Sequence, residues 1–437
     1  KYCSSISKAN YYWVPIDLLV LSGILSEQYD LKVLDAIIDK KSIDEAFREI
    51  VAFGPDVIIS LTSTTTWKID FSFLKDLKKA INPQIIISGG IVLTKSRFIL
   101  ETYPFIDACL LDFTIAEIIH YIEGSGDLYN LTYRDGNHIV EAPRKSAGYF
   151  SLMKPRHDLF PIGKYRYPIS VYHPSTCVIT SMGCPFQCTF CVPATIPYRK
   201  RNIVDTISEL QYIQSLGIKE VVFQDSTFTA DKDYTKHLCL EMIRGNITLD
   251  WLCLTRVDCV DRELLLLMKR AGCHSIEFGV ETGDQSIMQR IAKGITLEDV
   301  KTAFHLCREI GIKTCAFFIL GLPGQDVLSI EKTIAFALEI DPDTASFSLP
   351  MPHYGTPLGD DIIKYNDQLC EFSDTQVTKR VNDVVDDKTL LKLRNKAYRK
   401  FYFRPGYILR QLASIRNYHH FTLMSAEFVS LVRRYII

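Results

Sequence analysis

The chain has 437 residues, with 50 basic and 51 acidic side chains and a formal net charge of −1 at pH 7. That length allows two or three domains with buried cores, and the balanced charge excludes a general attraction to nucleic acid or to an anionic membrane surface. The 13 cysteines, an odd number scattered through apolar stretches, exclude a disulfide framework and point to a reducing, cytoplasmic setting. No run approaches the roughly 18 apolar residues of a membrane span, and no signal-peptide pattern is visible.

Helical periodicity first appears over Ile16–Leu25. A strand is predicted at Leu31–Leu34, a helix at Ile43–Ala52, a strand at Asp56–Ser60 and a helix at Phe71–Ile81. Strands at Gln84–Ser88 and Ile106–Leu111 and a helix at Ile115–Ile122 follow. Short apolar strands alternating with amphipathic helices predict an α/β domain over 1–125, a Rossmann-like parallel sheet wound on both faces. Lys1–Tyr12 is polar and turn-like, so the first strand of that sheet is expected upstream of Lys1. Ligands of such sheets bind at the carboxyl ends of the strands. Those ends hold the polar turn Ser60-Leu61-Thr62-Ser63-Thr64-Thr65-Thr66 and the pair Gly89-Gly90. Ser60, Thr62, Thr64 and the two glycines are small or hydroxylated, which lets a large flat ligand approach the backbone.

Next, Asn130–Arg144 alternates around Arg134-Asp135-Gly136, a hairpin signal. Pro155 to Pro168 reads as an extended connection, so 126–172 is expected to be a linker with no chemistry of its own.

From Ser175 a strand–helix unit repeats. Strands are predicted near Cys177–Thr180, Glu220–Gln224, Leu252–Thr255, Ser275–Val280, Thr314–Leu320 and Thr344–Leu349. Helices are predicted around Val204–Leu216, Tyr234–Arg244, Arg262–Ala271, Leu297–Ile310 and Ile330–Glu339. Asp261 and Thr296 are placed as N-caps, and Gly217, Gly272 and Gly311 as left-handed helix ends. The first strand runs directly into Gly183-Cys184-Pro185-Phe186-Gln187-Cys188-Thr189-Phe190-Cys191. Thiolates are the usual ligands of iron–sulfur clusters, and a [4Fe–4S] cube ordinarily takes four of them. Three cysteines with no fourth nearby leave one iron open to a small molecule. A zinc loop completed by a distant ligand and three reduced thiols are the alternative readings.

The Cys184–Cys188–Cys191 spacing, set after the first of six βα units, resembles the signature of the radical S-adenosylmethionine (SAM) superfamily. The resemblance implies a partial (β/α)6 barrel over 173–360. It also implies a [4Fe–4S] cluster on the three cysteines, and SAM chelated to the open iron and cleaved to a 5′-deoxyadenosyl radical. It places Phe190 beside the adenine. Other SAM contacts are then expected at the strand ends: Asp225 and Ser226 for the methionyl amine, Arg256 for its carboxylate and Glu281 for the ribose or amine. Leu320 and Gly321, in the turn Leu320-Gly321-Leu322-Pro323-Gly324, are expected at the adenine. The front segment resembles the cobalamin-binding domain that precedes many such cores. It departs from that pattern after the last strand, where Leu111-Asp112-Phe113-Thr114 replaces a Gly-Glu-Gly-Glu-like turn. Cobalamin is therefore an expectation carried by Ser60, Thr62, Thr64, Gly89 and Gly90.

A small-molecule substrate is expected over the barrel mouth, where His353 and Tyr354 could donate a proton or hydrogen bond. A reductase, flavodoxin or ferredoxin would supply the electron. Radical C-methylation with cobalamin leads. Cobalamin-free rearrangement, cyclisation or elimination on a sugar, lipid or antibiotic precursor is the alternative, and a non-catalytic iron–sulfur electron carrier or interaction protein is the reading from another class. Over 361–437 the pattern becomes a helical tail with eleven basic residues from Lys388 onward against the single acidic Glu427. Tyr398, Phe401, Tyr402, Phe403 and Tyr407 are interleaved with these charges. A lid packed on the barrel is favoured over contact with anionic lipid.

Overall fold

The computed structural model describes residues 11–146, 148–167, 169–362 and 381–413, together with 415, 425, 428, 429 and 432. The front of the chain runs α1 (Ile16–Leu25), α2 (Ile43–Phe53), β1 (Val57–Leu61), α3 (Trp67–Ile81), β2 (Gln84–Ser88), α4 (Val92–Thr102), β3 (Ala108–Leu110) and α5 (Glu117–Glu123). A hairpin of β4 (Leu131–Asp135) and β5 (His138–Glu141) follows. Strands β1, β2 and β3 pair in parallel, and the hairpin adds antiparallel beside β3, giving the order β1-β2-β3-β4-β5. Ile85, Ile86 and Ile87 of β2 are all fully buried, as a central parallel strand covered on both faces requires. α2 starts on a reciprocal capping box between Ser42 and Glu45 and ends at Gly54 in the left-handed conformation.

Three features differ from the sequence expectation. Leu31–Leu34 is not a strand; its apolar residues lie against the core, but no described strand offers its backbone a ladder. α4 is an additional helix, broken at Lys95 (φ −124°, ψ 16°), which blurs its helical period. The hairpin extends the front sheet, with Cys109 opposite Thr132, rather than standing apart as a connecting ribbon.

The second unit contains β6 (Tyr149–Phe150), β7 (Ser175–Val178), β8 (Ser181–Met182), β9 (Arg199–Arg201), α6 (Ile203–Ser215), β10 (Glu220–Phe223), α7 (Lys232–Arg244) and β11 (Asp250–Thr255). It continues through α8 (Arg262–Arg270), β12 (Cys273–Glu281), α9 (Gln285–Arg290), α10 (Leu297–Ile310), β13 (Lys313–Ile319), α11 (Val327–Ile340), β14 (Thr344–Ser348) and α12 (Pro357–Ile362). Six strands pair in parallel in the order β7-β10-β11-β12-β13-β14, the open six-unit barrel expected from the repeat. Asp261 and Thr296 accept the expected cap hydrogen bonds, from Leu264 N and Asp299 N. The short strands β6, β9 and β8 form a small separate sheet that flanks the cysteine loop.

Of the tail, α13 (Asp387–Tyr402) and α14 (Pro405–Ala413) are described, while 363–380 and most positions beyond 413 lie outside the described residues. Leu390, Leu393, Ala397 and Phe401 form the buried stripe of α13, a spacing of three and four that keeps them on one helix face. Part of the tail's basic face pairs with the barrel: Lys396 with Glu331, and Arg404 and Arg410 with Asp341. The described part of the tail thus packs on the barrel. Among the described residues no helix is long and apolar enough to cross a membrane.

Candidate functional site at the barrel mouth

The cysteine loop leaves β8 through Gly183, whose φ of +71° suits glycine. A Cβ there would overlap the Ile196 carbonyl and lie 2.5 Å from that of Pro197. The loop entry is tied down by Asp225, at the end of β10. Its Oδ1 accepts from Thr180 N (3.0 Å), Thr180 Oγ1 (2.8 Å) and Ser181 Oγ (2.6 Å). Burial pushes this carboxyl's pKa up, against the pull of those hydrogen bonds. The residue expected to hold a methionyl amine is thus committed to the strand that carries the cysteines. Ser226 follows it half-buried, and its carbonyl accepts from Thr227 Oγ1, which lies 3.4 Å from Cys184 Sγ.

Cys188 is buried and Cys184 and Cys191 are half-buried. Burial pushes the Cys191 thiol up to about 12. Among the described residues no three His, Cys, Asp or Glu side chains converge on one metal ion. A cube imposes no such convergence, because each thiolate takes a different iron. Three thiols on one glycine-shaped loop, with two cations beside them, fit a [4Fe–4S] cluster with one open iron.

The cations are Arg256 and Lys293. Arg256, from the end of β11, donates Nε and Nη2 to Asp258 (3.0 and 2.8 Å), Nη2 to the Lys293 carbonyl (2.7 Å) and Nη1 to Cys188 Sγ (3.7 Å). Its guanidinium lies 3.8 Å from the ring centroid of Phe186, inside the loop. Lys293 donates to Glu281 at 2.8 Å, and both are buried. Burial works against the lysine's charge, but Glu281 and then Cys188 hold its pKa above the ordinary value. Glu281 has φ +70°. A Cβ on Gly279 would lie 2.6 Å from Glu281 Oε1 and 2.9 Å from Lys293 Nζ, so the bare glycine makes room for the ion pair. Sequence reasoning missed Lys293; its only signal was Lys293-Gly294 just before the capping Thr296.

Phe190 packs with Ile287, Ile291, Leu322 and Ile319, and Thr189 N donates to the Ile291 carbonyl at 3.1 Å. Leu320 is fully buried, and Gly321 (φ +98°) donates its N–H to Gln325 Oε1 while its Cα faces Leu390 of α13. The turn after β13 is therefore covered by the tail on one side and continuous with the Phe190 patch on the other.

The loop after β14 closes the other side. Leu358 N donates to the Thr189 carbonyl at 2.9 Å, joining it to the cysteine loop. Burial lowers the His353 pKa, and Tyr354 is buried with Lys95 Nζ 5.0 Å from its ring centroid. A Cβ on Gly355 would sit 2.5 Å from Thr94 Cγ2. Thr94 and Lys95 belong to the first turn of α4, which follows Gly89-Gly90 at the end of β2. In the front sheet, Thr62 and Thr66 donate their hydroxyls to Asp70 at 2.9 and 2.6 Å. Gly89 (φ +125°) is pressed on the Thr62 carbonyl, and Gly90 faces open space. Ser60 and Thr64 are half-buried. Asp112, in the turn that departs from the cobalamin-domain pattern, is buried and takes Arg199 Nη2 at 2.6 Å, locking that turn onto β9.

Residues 178–337 match the radical SAM superfamily. The chain carries that domain and is a radical SAM enzyme, whose cofactors are a [4Fe–4S] cluster and SAM. An uncharacterized methyltransferase of Pyrococcus horikoshii is 27% identical over 445 residues, spanning 96% of this chain and 94% of that protein. The anaerobic magnesium-protoporphyrin IX monomethyl ester cyclase of Cereibacter sphaeroides is 27% identical over 426 residues, 90% of this chain and 68% of that one. The cobalamin-dependent SAM radical enzyme OxsB, solved with aqua-cobalamin and SAM bound, shares the fold with a TM-score of 0.69 at 16% identity, covering 99% of this chain and 71% of that one.

Proposed function

We propose that the protein is a cobalamin-dependent radical SAM methyltransferase that alkylates an unactivated carbon of a small molecule. One observation carries this reading: the helix that follows β2 of the front sheet meets the loop that follows β14 of the barrel. Thr94 and Lys95, in the first turn of α4 beyond Gly89-Gly90, lie against Gly355 and Tyr354, and that loop is bonded through Leu358 to Thr189 between two cysteines. The name of the Pyrococcus relative and the full-length likeness to a cobalamin-dependent enzyme support it. When bound, the cluster and SAM supply the 5′-deoxyadenosyl radical and the corrin supplies the methyl group.

The protein's own part is placement. Cys184, Cys188 and Cys191 hold three irons, and Phe190 with Ile291 and Leu322 offers an apolar face to adenine. Glu281 and Lys293 offer opposite charges to the methionyl amine and carboxylate. Gly90 leaves room at the front sheet for the corrin, and Gly89 and Thr62 shape its floor with Ser60 and Thr64. His353, half-buried and with its pKa lowered by desolvation, offers a hydrogen bond to substrate, and Tyr354 walls the site. An external one-electron donor such as a flavodoxin, ferredoxin or reductase feeds the cluster.

The Asp112–Arg199 lock, in place of the glycine-rich turn, favours a second reading in which the front domain holds no corrin and the reaction is rearrangement, cyclisation or elimination. Anaerobic reconstitution with iron, sulfide and hydroxocobalamin, then desalting and a visible spectrum, separates the two. Retained corrin with about four irons per chain, and S-adenosylhomocysteine formed with 5′-deoxyadenosine, is the expected result. Full iron with no retained corrin overturns methylation in favour of the second reading.

A further inference from the structure

Arg256 was expected to meet the methionyl carboxylate, yet all four of its polar contacts and its ring contact are to this chain's own loops. Asp258 grips Nε and Nη2, the Lys293 carbonyl takes Nη2 as well, and the face of Phe186 lies at 3.8 Å. That grip leaves Nη1 directed at Cys188 Sγ, 3.7 Å away. The Arg256 side chain is only 6% exposed, so water screens little of this interaction. We propose that Arg256 is a positioning residue for the cluster, fixing the Cys188 sulfur and holding positive charge on it so that the cluster's midpoint potential is raised. Adding an electron adds negative charge at the sulfurs, and a fixed N–H donor stabilises the reduced state more than the oxidised one.

The size of the effect follows from the partners. Arg256 carries Asp258 and Lys293 carries Glu281, so Cys188 faces two oriented ion pairs rather than two free charges. The Arg256–Asp258 pair turns its positive end to the sulfur. The inference rests on the cluster in the cysteine loop and not on the corrin.

The test uses full-length protein reconstituted anaerobically without SAM, with iron and sulfide counted and the midpoint potential read by dye-mediated titration followed by electron paramagnetic resonance. In Arg256→Met the iron content should be unchanged and the reduction equilibrium about tenfold less favourable, a potential about 59 mV more negative for one electron. Arg256→Lys should recover part of that, since it keeps the charge and loses the planar fork. Asp258→Asn gives the opposite sign: with the counter-carboxylate gone, the potential should rise. Because Asp258 is 29% exposed in its side chain, that variant keeps the test decisive if Arg256→Met takes up no iron. An unchanged potential at full iron in Arg256→Met, or an unchanged or lower one in Asp258→Asn, overturns the proposal. If Arg256→Met keeps its potential but loses SAM affinity, the arginine serves the methionyl carboxylate instead. Failure of the parent protein to bind iron would refute the cluster itself, a result distinct from all of these.

Discussion

Replacing Asp225 separates an anchor from a cofactor ligand. Asp225→Ala strips the acceptor from Thr180 N, Thr180 Oγ1 and Ser181 Oγ, in a place where both partner residues are buried. An unsatisfied buried donor costs about 1–3 kcal/mol, and hydroxyls partly re-aim, so the total should be roughly 3–5 kcal/mol. All three donors lie on Oδ1, while Oδ2 shares only Thr180 N at 3.2 Å. An amide oxygen can take the place of Oδ1, so Asp225→Asn should cost only about 1 kcal/mol. Anaerobic urea denaturation measures both variants, and SAM binding is measured beside it. The expected pattern is a large stability loss and low iron in the alanine variant, with near-parent stability and SAM affinity in the asparagine variant. If Asp225→Asn keeps its stability but loses SAM binding, the carboxylate serves the methionyl amine and the anchor argument fails.

Gly183→Ala should cost about 3 kcal/mol, from a left-handed backbone plus overlap with two carbonyls, and should at least halve the iron retained after reconstitution; a full complement at parent stability would contradict the account of the loop. Glu277, inside the barrel with Tyr167 Oη at 2.8 Å, is pushed up to about 7 by burial. Its folded form keeps the proton longer than the unfolded chain does, so stability should fall as pH rises from the usual glutamate range to about 7 and stay level above it. Glu277→Gln should remove that slope and gain about 2–3 kcal/mol at pH 8, read from denaturation midpoints at pH 5 and pH 8; parallel profiles for parent and variant would refute it. Tyr402→Phe removes both the acceptor for Ala345 N (3.0 Å) and the donor to Ala345 O (2.6 Å). It should lower stability by about 1–3 kcal/mol with iron content unchanged, and a loss of iron would place the tail in the site.

The barrel was legible where local signals and tertiary demand coincide. The predicted Leu297–Ile310 matches α10 because Thr296 and Asp299 cap each other and Gly311 takes the left-handed exit. The cysteine loop was legible from spacing alone. Side-chain direction was not: a sequence places Asp225 at a strand end, but only packing turns it toward Thr180 rather than into the mouth. Lys293 carries no periodic or motif signal, since what marks it is the bare Gly279 beneath its ammonium and Glu281 opposite, two residues from another strand end. α4 hid behind its own break at Lys95, and Leu31–Leu34 shows that strand-like composition is insufficient without a neighbouring ladder.

An open barrel has two edges, and β14 is one of them. Ala345 and Phe347 would present their N–H groups to any extended segment that came alongside, a template for strand-to-strand aggregation. The hydroxyls of Tyr402 and Tyr398 occupy those donors, and Tyr407 takes up the Asp343 carbonyl. A phenol cannot pass the ladder on as a strand would. A chain shortened ahead of Tyr398 should therefore fail first by self-association, with its cysteine loop still intact.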